Sequence, residues 1–268
     1  MQTNKEVLGD TVTDRILTEK KDQVLIVRLN RPERKNALTQ AMYTGMADAI
    51  DQAEADKDVR CILFTGSNEC FTAGNDLNDF TKGLPGDFRE TPVGRFLFVL
   101  VNATKPVVVA VNGPAIGIGT TMLLHCDMVM AGTNAAFQMP FASLGLCPEG
   151  GSSLLLPMWI GRVRAAELLM LGGRFSAEEA LRLGIINRVC EPDDTEVAAW
   201  EACQKLAAQA PAAIRATKEL LKRPNKEALE ETMRVEGALF GERLKSPEAA
   251  ESFRAFVEKR KPDFSRFS

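Results

Sequence analysis

The sequence predicts an α/β fold, and three observations favour this class. The run 106–111 (PVVVAV) is short, apolar and β-branched, which is typical of a strand buried on both faces of a sheet. Strand, turn and helix patterns follow one another along the chain to about residue 190. Beyond it the sequence is rich in Ala, Glu, Leu and Lys at helical spacing. We therefore expect a core domain over residues 1–195 and a helical C-terminal region over residues 196–268.

The first elements are two strands and a helix. Alternating apolar and polar residues predict adjacent strands at 15–20 and 24–29, and Pro32 lies in the turn after the second because proline cannot continue a ladder. Thr39 has the side chain of an N-cap, and apolar residues at helical spacing carry the helix to about Ala55. The pattern thus predicts two adjacent strands followed by an amphipathic helix.

The later elements are predicted from apolar runs that end at Gly, Pro or Asn and from Ala- and Leu-rich helical segments. In the core they are strands at 59–65 and 106–111, a helix at about 120–125, and strands at 127–131, 136–139 and 185–189. Helices follow at 177–183, 196–209, 211–222, 226–243 and 247 to about 260. The last begins after Ser246, because Pro247 is tolerated at a first helical position.

Composition and charge exclude several classes of protein. The chain has 268 residues with a net charge of -3, which argues against a nucleic-acid partner. Its apolar runs are too short to cross a bilayer, and the polar N-terminus predicts no secretory signal. The six cysteines form no CxxC pair, so we expect reduced thiols and a cytoplasmic location, with an organelle matrix as the alternative. The one histidine, His125, leaves too few ligands for a His-rich metal site, and no metal is predicted.

Two glycine-bearing turns are candidates for ligand binding. Residues 71–77 (FTAGNDL) follow the strand at 59–65, and residues 112–119 (NGPAIGIG) follow the strand at 106–111. Glycine lets main-chain N–H groups face a ligand without an intervening side chain. Two such amides, with a helix N-terminus behind one of them, would form an oxyanion hole. Each turn also has a purely structural interpretation when considered alone.

Glu149 is the candidate acid or base. It lies in the segment 146–153 (LCPEGGSS), on a loop beside two glycines at the start of a predicted helix. An acidic residue there also suits the positive end of a helix dipole, which is the structural alternative.

Four segments together resemble the crotonase (enoyl-CoA hydratase/isomerase) superfamily, in the order typical of that family. They are 30–38 (NRPERKNAL), 73–76 (AGND), 105–113 (KPVVVAVNG) and 258–264 (EKRKPDF). The resemblance covers about residues 13–264. It implies a crotonase-like spiral of repeated β-β-α units, a C-terminal helical region that forms a homotrimer or a dimer of trimers, and a coenzyme A thioester as substrate with no further cofactor.

The resemblance also assigns roles to individual positions. It implies oxyanion-hole amides at Asn75 and Ile118 and a catalytic carboxyl at Glu149. It implies that the coenzyme A moiety lies against a larger set of residues: Lys35, Asn36, Ala37, Ala73, Leu77 and Lys259. For the two lysines in that set, a solvated surface charge is the alternative.

Departures from the hydratase pattern determine the predicted chemistry. Hydratases of this family resemble one another in two catalytic glutamates, and this sequence has Thr121 and Phe141 at those positions. Neither side chain accepts a proton at neutral pH. Glu149 instead matches the lone glutamate of the branch that resembles the 3,2-enoyl-CoA isomerases of fatty-acid β-oxidation. We therefore expect an isomerase that moves a double bond by proton transfer, and apolar neighbours such as Phe141 would raise the pKa of Glu149.

Two other functions remain open from the sequence. Glu149 acting alone in an enoyl-CoA hydratase, a lyase, is one. A non-catalytic acyl-CoA-binding homologue is the other. Assay with 3-enoyl and 2-enoyl thioesters distinguishes them from the isomerase.

Overall fold

The computed structural model describes residues 15–80 and 87–267. The strands are β1 (Ile16–Lys21), β2 (Val24–Leu29), β3 (Cys61–Thr65), β4 (Val107–Val111), β5 (Pro114–Ile116), β6 (Met128–Gly132), β7 (Ala136–Gln138), β8 (Phe175–Ser176) and β9 (Arg188–Cys190). The helices are α1 (Gln40–Ala55), α2 (Leu77–Phe80), α3 (Pro92–Asn102), α4 (Ile118–Thr121), α5 (Ser152–Ile160), α6 (Arg162–Ala166), α7 (Ala177–Arg182), α8 (Pro192–Ala207), α9 (Pro211–Lys222), α10 (Lys226–Leu244) and α11 (Pro247–Val257).

Two sheets organise the core. The larger has the strand order β1-β2-β3-β4-β6-β9, in which only the β1–β2 pair is antiparallel. The smaller has the order β5-β7-β8. Because β5 follows β4 after a short turn, and β7 follows β6 in the same way, each chain segment leaves the large sheet and enters the small one. This is the crotonase-like α/β fold that the resemblance implies.

Both faces of the large sheet are covered. Along β4, Val107 and Val109 belong to one apolar cluster, while Val108 and Ala110 belong to a second. Helices α1 and α3 supply the first cluster, and α8 supplies the second through residues such as Ala199. The burial of all five β4 residues confirms the prediction from the β-branched run.

Several predicted boundaries shift, each for a local reason. The helix predicted at 120–125 is the short helix α4 followed by a 3₁₀ turn over Met122–His125. Helix α8 begins at Pro192 rather than at 196, because proline at the first helical position already fixes the backbone. This start lies before the predicted domain boundary at 195/196, and α8 packs on the sheet. The last helix ends at Val257, and Arg260 beyond it pairs with Glu251.

Helices α2, α3 and α6 are absent from the sequence prediction, and only the start of α5, after Glu149, is predicted. Helix α3 has clear start signals, since the Thr91 side chain accepts from the Gly94 N–H and Pro92 occupies the first turn. Helix α5 contains Pro157, and its N-cap is Gly151, so it lacks the usual start signal. All six cysteines are free. Within the part of the chain that the structure describes, no helix is long and apolar enough to span a bilayer.

Candidate active site

The loop after β2 and the first glycine turn are joined by a buried ion pair. The Arg31 Nη1 atom lies 2.6 Å from Asp76 Oδ2, and the same Nη1 donates to the Ala37 carbonyl. Asn36 adds amide hydrogen bonds to the carbonyls of Cys70 and Phe71. Two segments of the family resemblance, 30–38 and 73–76, are therefore held together by side chains within those same segments.

The two glycine turns also pair with each other. Thr72 and Ala115 form a parallel β-bridge, and the Ile116 N–H donates to the Thr72 carbonyl at 3.0 Å. Gly74 has a φ of 88°, and a Cβ at that position would lie 2.8 Å from the Ile116 carbonyl oxygen. Glycine is thus required at position 74 by its backbone conformation and by this close approach.

The predicted oxyanion amides are positioned by this pairing. Asn75 forms a parallel β-bridge with Leu38. The Gly74 carbonyl accepts from the Leu38 N–H, and the Asp76 N–H donates to the Leu38 carbonyl. The N–H of Asn75, which lies between these two residues, therefore points away from Leu38. Ile118 is the first residue of α4, so its N–H has no acceptor within the helix. Across residues 15–80 and 87–267 no hydrogen-bond acceptor is found for either amide.

Glu149 is a buried carboxyl on the turn before α5, with only 5% of its surface exposed. The Thr121 hydroxyl donates to Glu149 Oε1. Thr121 lies three residues after Ile118 in α4, and positions i and i+3 share one face of a helix. The hydrogen bond therefore attaches the Glu149 carboxyl to the short helix whose first residue is Ile118.

The backbone around Glu149 is held at several atoms. Ser152 donates to the Glu149 carbonyl through its N–H at 3.2 Å and its hydroxyl at 2.7 Å. The His125 Nε2 atom lies 2.7 Å from the Gly150 carbonyl. Burial lowers the pKa of His125 to about 4, so the neutral ring donates its Nε2–H there. Gly150 and Gly151 have φ values of 64° and 74°, which glycine adopts without strain.

Burial raises the pKa of Glu149 from its ordinary value of 4.5 to about 7. The hydrogen bond from Thr121 opposes this rise, and the negative charge of Glu236 adds to it. A carboxyl with a pKa near the working pH can both take and return a proton. Phe141, the predicted apolar neighbour, is buried and packs edge-on against Phe240 of α10.

Tyr43 connects the carboxyl to the first turn. It is fully buried on α1, and its hydroxyl donates to Asn75 Oδ1. Burial raises the pKa of Tyr43 well above 10.0, and the charge of Glu149 raises it further, so the phenol stays protonated. Tyr43 therefore contacts Asn75 directly and lies near enough to Glu149 for the charge of that carboxyl to affect it.

The residues predicted to hold coenzyme A fall into two groups. Lys35, Ala37, Ala73 and Leu77 lie around the joined loops, and the Ala73 N–H donates to the Lys35 carbonyl at 2.9 Å. Asn36 is buried there, and its side-chain amide is used entirely within the protein.

Lys259 is separate from that group. It is exposed and follows α11, which packs against α10 and residues 142–144. Among the described residues no hydrogen bond or ion pair joins Lys259 to the glycine turns.

A cavity of about 600 Å³ lies behind the turn that carries Glu149. The cavity is lined by His125, Leu229 and basic residues of α9 such as Lys218. His125 is the residue next to the Gly150 carbonyl, and Leu229 lies beside Gly151. Lys218 is already paired with Asp127 at 2.7 Å. Glu149 itself does not line this cavity.

Three residues of the site have contacts that the sequence does not assign to them. Tyr43 and Glu236 contact the site from α1 and α10, and the sequence marks Thr121 only as a missing glutamate. No local pattern marks Tyr43, because its spacing is that of an ordinary core residue of α1. Glu236 leaves one signal, a charged residue on the apolar side of a helix between Met233 and Phe240.

The fold and this arrangement of amides and carboxyl define a crotonase-type protein. The family model for enoyl-CoA hydratase/isomerase matches residues 19–266, and the chain belongs to this family of the crotonase superfamily.

Relatives named for different activities match almost equally well. A 1,2-epoxyphenylacetyl-CoA isomerase of Escherichia coli is 35% identical over 93% of this chain and 98% of its own. A 2,3-dehydroadipyl-CoA hydratase of the same organism is 32% identical over 93% and 98%. The solved structure of Pseudomonas aeruginosa OdaA matches with a TM-score of 0.89 and 46% identity, over 91% of this chain and 99% of that one.

Proposed function

We propose that the protein is a 3,2-enoyl-CoA isomerase in which Glu149 is the single acid and base. The observation that carries the proposal is the pairing of one buried carboxyl, whose pKa is about 7, with two main-chain amides that have no acceptor among the described residues. The substrate is a coenzyme A thioester of an unsaturated acyl chain.

The reaction needs one proton carrier. The Glu149 carboxylate removes a proton from C2 of a 3-enoyl thioester, and the electron pair moves onto the thioester oxygen as a dienolate. The N–H groups of Asn75 and Ile118 donate to that oxygen, which is worth about 10²–10³ in rate for one such donor. Protonated Glu149 then gives its proton to C4, and the double bond comes to lie between C2 and C3. No atom is gained or lost.

The surroundings of Glu149 favour isomerisation over hydration. Water addition by two carboxylates needs an acid at each of two positions, and this chain has Thr121 and Phe141 there. Thr121 instead donates to Glu149, and Phe141 is buried against Phe240. An apolar wall at position 141 leaves no group there to orient a water molecule.

The proposal extends to the ligand contacts and the assembly. Lys35, Ala37, Ala73 and Leu77, with the Asn36 backbone, flank the coenzyme A moiety, and Lys259 reaches its phosphates in its own or a neighbouring subunit. The C-terminal helices carry exposed apolar residues, such as Leu220 (63% exposed) and Leu221 (76%) on α9. We expect these helices to bury that surface in a homotrimer or a dimer of trimers.

The test supplies 3-enoyl-CoA and 2-enoyl-CoA esters of several chain lengths and separates isomer from 3-hydroxy product by mass. We expect interconversion of the two enoyl esters without hydrated product, and loss of this activity in Glu149→Gln. Glu54→Gln on α1 is the matched control, since it makes the same chemical change outside the site. Hydrated product alone, or an unchanged isomerisation rate in Glu149→Gln, contradicts the proposal.

A further inference from the structure

Glu236 on α10 is a second buried carboxyl beside the turn that carries Glu149, with 7% of its surface exposed. Its Oε2 accepts from the Gly151 N–H at 2.5 Å, and its Oε1 accepts from the Ser153 N–H at 3.0 Å. These are the amides of the N-cap residue and of the second residue of α5, which begins three residues after Glu149. Glu236 thus caps from another helix the element that follows the catalytic position.

The cap has to come from outside α5. The N-cap residue Gly151 has no side chain, and its φ of 74° disfavours any residue that does. A Cβ at that position would also lie 2.3 Å from Leu229 Cδ1. A local Ser, Thr or Asp is therefore excluded, and the amides of Gly151 and Ser153 depend on Glu236 for an acceptor.

Capping alone does not require a charge. A neutral oxygen is enough to accept from helix amides, whereas a buried carboxylate without a cation is costly. Among the described residues no basic side chain pairs with Glu236, in contrast to Glu251, which is also buried but pairs with Arg260 and Arg266. Burial raises the pKa of Glu236, and the hydrogen bonds from Ser153 and Gly151 oppose that rise. The helix amides thus stabilise the charged form of Glu236, and its negative charge acts on Glu149.

We propose that Glu236 is a positioning residue for Glu149: it holds the turn through Gly151 and Ser153, and its negative charge makes Glu149 a stronger base. The inference rests on the proposed function of Glu149. It adds that the basicity and the orientation of the Glu149 carboxylate are set by Glu236, a side chain that does not touch the substrate.

The test compares Glu236→Gln with the wild-type protein. Glutamine keeps the size and one acceptor oxygen, but it removes the charge and places an NH₂ group opposite one amide. We expect kcat to fall roughly tenfold, because small misplacements of a catalytic group cost up to about 10²-fold, while KM changes by less than about twofold. The acid limb of the profile of kcat/KM against pH is expected to move to lower pH.

Glu54→Gln is the matched control. Glu54 on α1 accepts from the N–H groups of Thr104 at 3.0 Å and Lys105 at 2.9 Å, so it also joins a helix to a following loop through two amides. Its loss is expected to lower the melting temperature without moving the pH profile. A Glu236→Gln variant that behaves like Glu54→Gln, with the same thermal loss and an unmoved acid limb, overturns the proposal.

A second measurement does not depend on activity. Protonated Glu149 has a carboxyl C=O infrared band that is missing in Glu149→Gln, and its pH titration reports the protonation of that group in the folded protein. We expect a lower midpoint in Glu236→Gln than in the wild-type protein. If the wild-type protein isomerises nothing, the proposed function fails, but a lowered midpoint still supports the action of Glu236, and an unmoved midpoint still refutes it.

Glu236→Asp keeps the inference testable if the glutamine variant does not fold. Aspartate keeps the charge but is one methylene shorter, so the midpoint is expected to stay near the wild-type value while kcat falls. Wild-type kcat in this variant contradicts the positioning role.

Discussion

Replacing Glu149 by Gln should change how the stability of the protein depends on pH. In the folded protein burial raises the pKa of Glu149 to about 7, against an ordinary value of 4.5. The folded state therefore binds this proton more tightly than the unfolded state does. The resulting stability is fully present below about pH 4.5, and it is lost as the pH rises through about 7. The glutamine side chain of the variant has no proton to lose, so this part of the pH dependence disappears.

The size of the effect follows from the shift. One pKa unit corresponds to about 1.4 kcal/mol, so the raised pKa of Glu149 amounts to about 3 kcal/mol over the whole titration. About 2 kcal/mol of this falls between about pH 5.5 and 8.5, the range in which both folded forms of the carboxyl are populated. The neighbouring carboxyl of Glu236 remains in both proteins, so its own contribution largely cancels in the comparison.

The assay is urea unfolding of both proteins across that pH range at one protein concentration, since an oligomer adds a concentration-dependent term. We expect the free energy of unfolding of Glu149→Gln to gain about 2 kcal/mol relative to the wild type between about pH 5.5 and 8.5. Glu54→Gln, treated identically, should show no such trend. A difference between Glu149→Gln and wild type that is constant with pH refutes the raised pKa and with it the argument that Glu149 is a base near neutral pH.

Three further predictions concern the rest of the site. Thr121→Val removes the hydroxyl whose hydrogen bond lowers the pKa of Glu149, so the acid limb of kcat/KM should move to higher pH; an unmoved limb in a steady-state pH profile contradicts this. Asp76→Asn leaves Arg31 without its buried partner, which should cost about 3 kcal/mol in urea unfolding, and a loss below about 1 kcal/mol would show that the pair does not hold the loops. Lys259→Ala should raise KM for an enoyl-CoA several-fold with kcat unchanged; equal KM values for both proteins would remove Lys259 from the binding site.

The sequence predicts most of the sheet because a strand buried on both faces is a continuous apolar run, which is recognisable locally. The β-branched run at 106–111 has no polar position, and the structure buries β4 from both sides. Helix α5 lacks such a local pattern, because its apolar residues do not keep to one face and its cap is Glu236, a residue 85 positions away from Gly151. A contact of this kind exists only once the chain has folded.

The candidate site likewise contains residues that the sequence predicts and residues that only the structure reveals. Glu149 and the two glycine turns are recognisable, because a loop with positive φ needs glycine and a family pattern fixes the order. The hydrogen bond from Tyr43 to Asn75 is not recognisable, since the tyrosine occupies an ordinary core position of α1. In the sequence Thr121 marks only the absence of a glutamate, whereas in the structure its hydroxyl is a hydrogen-bond donor to the carboxyl.

The proposed division of roles between main chain and side chain offers a reason why relatives of similar identity are named for different reactions. The amides of Asn75 and Ile118 are main-chain groups, held by pairing between two loops, so substitution of most side chains leaves them in place. The proposed proton carrier is a side chain, and a single substitution at position 121, 141 or 149 adds or removes a carboxyl. In the proposed mechanism the reaction therefore depends on the few positions that carry a carboxyl and not on overall identity. For this chain those positions leave one acid, and one acid is sufficient to move a proton between two carbons.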